Sequence, residues 1–463
     1  MRSLSLRLYG AFTSLVQPLV RRKLKRRAEA EPGYAVAVEE RFGRYYDNAA
    51  VGAGWCWVHA VSLGESRAAG ILIAELRRQH PGIPILLTHG TATGREEGAR
   101  LLEPGDLQVW QPWDTPSAVA RFLDRFAPRI GVLMETEVWP EMVAACRERR
   151  IPLVLANARL NEKSLASAER LGWLARPAYS GLTAVWAQTE ADAHRLVSLG
   201  AKVAGVYGNL KFDATPDARQ LAAAAKFKGQ LPRPLVVLAS SREGEEQMLL
   251  DVLKRFGATS PLPPEQPGVD SIARQVAAVQ WMIVPRHPQR FDEVAALIES
   301  NGFGVARRSA AGAPTAAEIW LGDSLGEMAL YYGLADAALL GGSFEALGGQ
   351  NLIEAAACGC PVVLGPSTFN FAEAADLAVA SGAALRVQTM EQAVRAALSL
   401  VGDAVRREAM VQSAHGFAAS NRGAAERTAA AVLAIAEGAS PMPVRAAASS
   451  AIPPEERAEP TLD

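Results

Sequence analysis

Short apolar runs alternate with longer amphipathic stretches along almost the whole chain, and nothing else in it restricts the fold as strongly. The runs WCWVHA (55–60), IPILLTHG (83–90), LQVWQP (107–112), IGVLME (130–135), IPLVLAN (151–157) and TAVWAQ (183–188) lack a continuous polar face, as strands covered on both sides do. Helical stretches such as 66–79 and 117–126 lie between them. This alternation predicts parallel α/β sheets. It restarts after Gly208 with PLVVLAS (234–240), WMIVPRH (281–287), EIWLGD (318–323), ADAALLGG (335–342) and PVVLGP (361–366). A chain of 463 residues is long for one core. Two sequential α/β units of similar size are therefore expected, joined near residues 208–232.

The first residues follow a different rule. Residues 1–27 carry eight Arg or Lys and no acid. On a helical wheel Ser3, Arg7, Gly10, Thr13, Ser14 and Gln17 form a polar arc. Leu4, Leu8, Ala11, Phe12, Leu15, Val16, Leu19 and Val20 form the opposite face, and Arg21, Arg22, Lys23, Lys25, Arg26 and Arg27 follow. The apolar run is short for a spanning helix and is broken by Arg7 and Pro18. An amphipathic anchor lying in the plane of an anionic membrane surface is the preferred reading. The alternative is a solvated helix packed on the domain. The Pro- and Gly-rich stretch 257–270 is expected to be a surface insertion, and the Ala/Ser/Pro/Glu tail 438–463 to be disordered.

Composition removes some function classes. A formal charge of −1 argues against a nucleic-acid binder with a global basic field. Cys56, Cys146, Cys358 and Cys360 form no CxxC pair, so neither a zinc site nor a disulfide framework is expected.

Ligands of open α/β sheets bind beyond the carboxyl ends of the strands, so the residues there are the functional candidates. Glu65 ends HAVSLGE; it reads either as a helix-start acid favoured by the macrodipole or as a general base. Glu135 and Glu137, in METEVWPE, pose the same choice and would share one side of an extended segment. GTATG (90–94) lacks phosphate-loop spacing and is expected to be a Gly-Thr turn. Arg286 and His287 together suit an anionic ligand, against the alternative of a surface ion pair. Asn351 and Glu354 follow a glycine turn; they suit a helix cap, a nucleotide contact, or both. Lys211 lies near the join, where a cation could meet a leaving phosphate or simply be solvated.

Taken in order, HAVSLGE, METEVWPEM, NARL, GNLKFD, PRHPQRF, GDSLGEM and NLIEAAACGCPVVLGPSTFNF resemble the 3-deoxy-D-manno-octulosonic acid (Kdo) transferases, from the N-terminal segment to about residue 435. The resemblance implies a GT-B fold, two Rossmann-like domains facing across a cleft behind an N-terminal amphipathic anchor. In this chain the parts would be the anchor (1–27), an acceptor domain (28–215) and a CMP-Kdo domain (216–437). It implies transfer from CMP-Kdo to the 6'-hydroxyl of lipid IVA, without metal or cofactor, at the cytoplasmic side of the inner membrane. Carried over by motif, Glu65 is the base, and Glu135 and Lys211 stabilise the transition state. CMP contacts fall on Arg286, His287, Gly326, Glu327, Met328, Asn351, Leu352, Ile353 and Glu354. Ser240, Ser241 and Arg242 add phosphate contacts. Some relatives carry His where this chain has Arg242 and Ser367; arginine keeps an anion-binding role, whereas Ser367 removes a donor. Two other readings compete: a GT-B enzyme using a UDP-sugar, and a membrane-bound sugar-nucleotide sensor that would not need Glu65.

Overall fold

The structure, a computed structural model, describes residues 3–45, 54–257, 272–311 and 317–439. Most of the expected 257–270 insertion and of the 438–463 tail lies outside the described residues. The chain divides into two compact units, one of residues 1–210 with 423–463 and one of residues 211–422.

In the first unit, β1 (Cys56–His59), β2 (Ile85–His89), β3 (Leu107–Trp110), β4 (Ile130–Met134), β5 (Leu153–Ala158), β6 (Ala184–Ala187) and β7 (Val203–Val206) form one sheet. Its order is β3-β2-β1-β4-β5-β6-β7, and its pairs are parallel. The central strands are fully buried because both faces carry side chains inward. Trp57, Leu133 and Leu155 feed one core layer, and Val58, Val132 and Val154 feed the other. The order reverses between β1 and β4, so this pair forms the switch point where a doubly wound sheet opens a crevice.

The second unit repeats the plan with β8 (Leu235–Ser241), β9 (Gln280–Pro285), β10 (Val305–Arg307), β11 (Ile319–Leu321), β12 (Ala337–Leu340), β13 (Val362–Leu364) and β14 (Ala384–Arg386). The order is β10-β11-β9-β8-β12-β13-β14, with the reversal between β8 and β12. Every long strand run expected from the sequence is present. The strands it omits, β7, β10 and β14, lie at or beside sheet edges and are short, with exposed or half-buried positions that dilute the apolar signal.

Five helices bear on the site: α1 (Leu4–Leu15), α2 (Gln17–Ala30), α3 (Leu63–Gln79), α4 (Pro140–Glu148) and α5 (Ala424–Ala436). The last corrects the expected second domain of 216–437, since α5 belongs to the first unit. Ala425, Ala429, Val432 and Ile435 are buried in the same core layer as Leu72, Ile73 and Leu76 of α3. Arg129 Nε donates to the Ala436 carbonyl at 2.7 Å, and Arg427 donates to that of Tyr207 at 2.7 Å. Burying Val432 and Ile435 is worth about 1.5–3 kcal/mol each, which outweighs their closeness in sequence to the second unit.

The N-terminal segment is two helices, broken at Val16 just ahead of Pro18. Part of its polar arc packs inward: Gly10 and Thr13 are buried and Gln17 bonds to Thr115, beside Tyr9, which bonds to Asp114, whereas Ser3, Arg7 and Ser14 are exposed. Its apolar face turns outward, with Leu4 73% and Leu15 80% exposed and Leu8, Phe12 and Leu19 alongside them. The basic cluster is divided. Arg21 pairs with Glu39 and stacks on Phe42, and Arg27 stacks on Tyr34, whereas Arg22, Lys23, Lys25 and Arg26 are exposed. No helix among the described residues is long and apolar enough to cross a membrane.

Candidate active site

Glu65 stands in the first turn of α3, just beyond β1, and its carboxylate is fixed from two sides. Ser62, the N-cap, accepts from the Glu65 amide at 3.3 Å and donates to Glu65 Oε1 at 3.0 Å. The Val61 amide donates to Oε2 at 2.9 Å. This is a capping-box arrangement, so the helix-start reading of Glu65 is realised. It does not exclude the other, because each carboxylate oxygen keeps a second lone pair. Burial pushes the Glu65 carboxyl up to about 7; the Val61 amide opposes the shift, and the neighbouring charges of Glu135 and Glu137 reinforce it. An acid tuned near neutral pH is what general-base chemistry needs.

Glu135 and Glu137 follow β4, which pairs directly with β1, and the switch point brings them near Glu65. The extended arrangement expected for them is absent. Glu135 adopts a left-handed backbone, φ 57°, directly after the strand, and the chain turns there. Its amide donates to the Ala156 carbonyl at 3.0 Å, and its carbonyl accepts from the Arg159 amide at 3.2 Å. Those bonds hold a conformation that a non-glycine residue rarely adopts. Burial raises the Glu137 carboxyl, with Glu135 reinforcing, while Trp139 Nε1 donates to it at 3.0 Å.

The nearby histidines do different work. Burial lowers His59 to about 3 and His89 to about 4, so both rings are neutral at physiological pH. His59 Nδ1 lies 2.9 Å from Thr88 Oγ1, and His89 Nδ1 lies 3.0 Å from the Ala60 carbonyl. They are core groups supporting the strand ends. Gly90 and Thr91 form the expected Gly-Thr turn, while Ala92–Ala99 is already helix: Thr91 caps that helix and donates to the Val61 carbonyl at 2.8 Å.

In the second unit the strand ends gather positive charge. Burial lowers the His287 imidazole, the charges of Arg242 and Arg286 add to the shift, and Glu243, which pairs with Arg242 at 3.0 Å, opposes it. Ser240, φ 55°, is the irregular residue of β8 where its register against β9 shifts, and the Arg286 amide donates to the Ser241 carbonyl at 3.0 Å. Ser241 is fully buried, and its hydroxyl donates to Glu246 at 2.7 Å. That makes it a support behind the loop.

Residues absent from the sequence reading hold this cluster together. Glu245 accepts from the amides of Arg242, Gly342 and Phe344 at 2.9, 2.7 and 3.0 Å, joining the loops after β8 and β12. Glu246 forms a buried pair with Arg290, whose two nitrogens lie 2.8 and 3.3 Å from the carboxylate oxygens. The signal was the adjacent acids Glu245 and Glu246 that end SSREGEE, together with the final arginine of PRHPQRF.

The remaining candidates are distributed over the same unit. Lys211 Nζ lies 5.4 Å from the centre of the Phe371 ring. Gly326 has φ 78°, Glu327 pairs with Arg308 at 2.8 Å and with Ser324, and Met328 starts a helix. Asn351 caps the helix Leu352–Ala357 by accepting from the Ile353 amide at 3.2 Å. Leu352 and Ile353 are core side chains, and Glu354 lies in that helix. Ser367 Oγ accepts from the Gly348 amide at 3.0 Å, which gives the residue a defined place against the glycine loop. Among the described residues no three His, Cys, Asp or Glu are grouped to hold a metal ion.

Two units, each a doubly wound parallel sheet, place the chain in the GT-B-like class of two-domain folds. Solved structures share this fold. A glycosyltransferase from Rickettsia africae has a TM-score of 0.53 at 12% identity, over 83% of this chain and 99% of that one. The UDP-GlcNAc 2-epimerase of Neisseria meningitidis has a TM-score of 0.52 at 17% identity, over 82% of this chain and 99% of that one. Within the class, sequence decides. Residues 37–214 match the family model described as 3-deoxy-D-manno-octulosonic-acid transferase. The 3-deoxy-D-manno-octulosonic acid transferase of Bordetella pertussis is 45% identical over 89% of this chain and 95% of its own length. That of Haemophilus influenzae is 29% identical over 90% and 96%. The chain belongs to the Kdo transferases, glycosyltransferases of lipopolysaccharide biosynthesis.

Proposed function

We propose that the chain transfers Kdo from CMP-Kdo to the 6'-hydroxyl of lipid IVA at the cytoplasmic side of the inner membrane, releasing CMP without a metal ion. The observation that carries this reading is Glu65, held by Val61 and Ser62 and raised to about 7 by burial beside two other acids. The acceptor oxygen attacks the anomeric carbon of Kdo, the bond from that carbon to the CMP phosphate oxygen breaks, and Glu65 takes the hydroxyl proton. Glu135 balances the positive charge that develops on the sugar. CMP departs as an anion, and Lys211, Arg242 and Arg286 offset its charge. Burial and the neighbouring guanidinium charges favour the neutral form of His287, and a phosphate beside it favours the protonated form. Gly326–Met328 and Asn351–Glu354 hold the nucleotide, the buried Leu352 and Ile353 through their backbone.

The outward apolar stripe of α1 and the exposed Arg22, Lys23, Lys25 and Arg26 support an in-plane seat on anionic lipid. A cavity of about 420 Å³, lined by Leu6 of α1 with Val143, Trp173 and Leu174, lies against the same helix and suits a lipid acceptor. The test is turnover of CMP-Kdo and lipid IVA in EDTA, read by mass spectrometry, with Glu65→Gln in parallel. Kdo addition by wild type alone supports the reading. Near-wild-type activity in Glu65→Gln returns Glu65 to capping, and no product from folded, CMP-binding wild type points to another acceptor.

A further inference from the structure

The helix that faces outward with one side grips the acidic loop with the other. The first turn of α4 has two amides to satisfy, those of Glu141 and Met142, because Pro140 has no N–H and Trp139 offers no side-chain cap. Asp114, from the loop after β3, supplies both acceptors: the Glu141 amide donates to Oδ2 at 3.0 Å and the Met142 amide to Oδ1 at 2.9 Å. Its carboxylate is therefore the N-cap of α4, delivered from another segment and favoured by the helix dipole. The third donor to it is the Tyr9 hydroxyl of α1, 2.9 Å from Oδ2. Next to Tyr9, a Cβ on Gly10 would lie 2.7 Å from Pro116, so α1 is seated backbone-close on the loop that carries Asp114.

Glu135 and Glu137 lie in the loop between β4 and α4, so whatever fixes the first turn of α4 fixes one end of that loop. We propose that Tyr9 is a positioning residue for the transfer reaction, coupling the membrane-facing helix through Asp114 to the loop that carries Glu135 and Glu137. The proposal rests on the functional reading above and goes beyond it, because α1 becomes part of the acceptor site as well as its tether. The groups facing Asp114 are Tyr9 from α1 and Glu141 and Cys146 from α4. Burial raises the Asp114 carboxyl to about 6, and the Tyr9 hydroxyl and the two amides hold it down. Without the hydroxyl, Asp114 protonates at higher pH and releases the α4 amides there.

The experiment compares full-length wild type, Tyr9→Phe and Asp114→Asn, with CMP-Kdo and lipid IVA in mixed micelles, from pH 6 to 8. Tyr9→Phe keeps the apolar stripe, so sedimentation with anionic phospholipid vesicles is expected to be unchanged and KM to stay within about twofold. Losing a hydrogen bond to a charged group lowers kcat on the order of tenfold at pH 6. The ratio to wild type recovers towards pH 8, and taking that ratio removes the titration of Glu65 itself. Asp114→Asn is expected to show a deficit that does not vary with pH. A wild-type kcat for Tyr9→Phe across the range overturns the proposal. So does a pH-independent loss matched by a lower Tm, which would mark Tyr9 as only stabilising, or a loss of vesicle binding. No Kdo transfer by wild type would instead remove the underlying functional reading, and the wild-type control reports that separately.

Discussion

The two sheets share a winding scheme and differ in the charge beyond their central strands. In the first unit, β1 and β4 lead to Glu65, Glu135 and Glu137, and burial, reinforced by the neighbouring acids, raises Glu65 and Glu137. In the second, β8 and β9 lead to Arg242, Arg286 and His287, and burial, reinforced by the neighbouring guanidinium charges, lowers His287. Each cluster shifts its titratable group towards the neutral form, so each is poised to change when a ligand of the right charge arrives. On the proposed reading, one backbone plan serves proton abstraction in one unit and anion binding in the other, and the difference lies in the few residues past each strand.

Breaking the acidic side should have the largest effect. Glu65→Gln is expected to lower kcat/KM by about 10³-fold. Wild-type kcat/KM should fall as pH drops below about 7, because the base is then protonated, and this limb should vanish in the variant. The sign for stability is the reverse. A raised carboxyl contributes stability below its unfolded value, near 4.5, and loses it as pH rises through about 7. Glu65→Gln should therefore raise Tm more at pH 8 than at pH 5.

On the cationic side, Arg290→Met strands the buried Glu246 and should cost about 3 kcal/mol. Hydrogen exchange should locate the loss around β8 and β9, with the first sheet unchanged; a loss spread equally over both units would show that they do not fold as separately as their cores imply. Ile435→Ala, in the last helix, should cost about 2 kcal/mol. Exchange should then rise in α3 and β1, and a rise confined to the second sheet would reassign α5. The smallest effect is protonic. Compared with His287→Asn, wild type should take up an additional fraction of a proton on binding CMP, measured by calorimetry in buffers of different ionisation heat. Equal uptake in the two proteins would move the coupling to another group.

Much of this is legible in the sequence. Fully buried parallel strands read as apolar runs, and the turn residues between them mark strand ends, so the sheets and the candidate strand-end residues follow from pattern alone. The amphipathic N-terminus was legible too, because a stripe at helical spacing needs no tertiary context. Edge strands were missed because half-exposed positions blur the pattern, and α5 was misassigned because proximity along the chain says nothing about which core will accept a helix.

What the sequence determined by itself was periodicity, local capping and the ordered motifs that mark the family. Tertiary structure alone decided which side of α1 is buried, which unit takes α5, and that the chain turns at Glu135 where an extended segment was expected. It also decided that Asp114 caps a helix from another segment and that Glu245 joins two loops. The reason is physical. Local pattern reports what a residue shares with its chain neighbours, whereas desolvation and charge crowding depend on groups brought together from distant strands, and those two effects set Glu65 and His287.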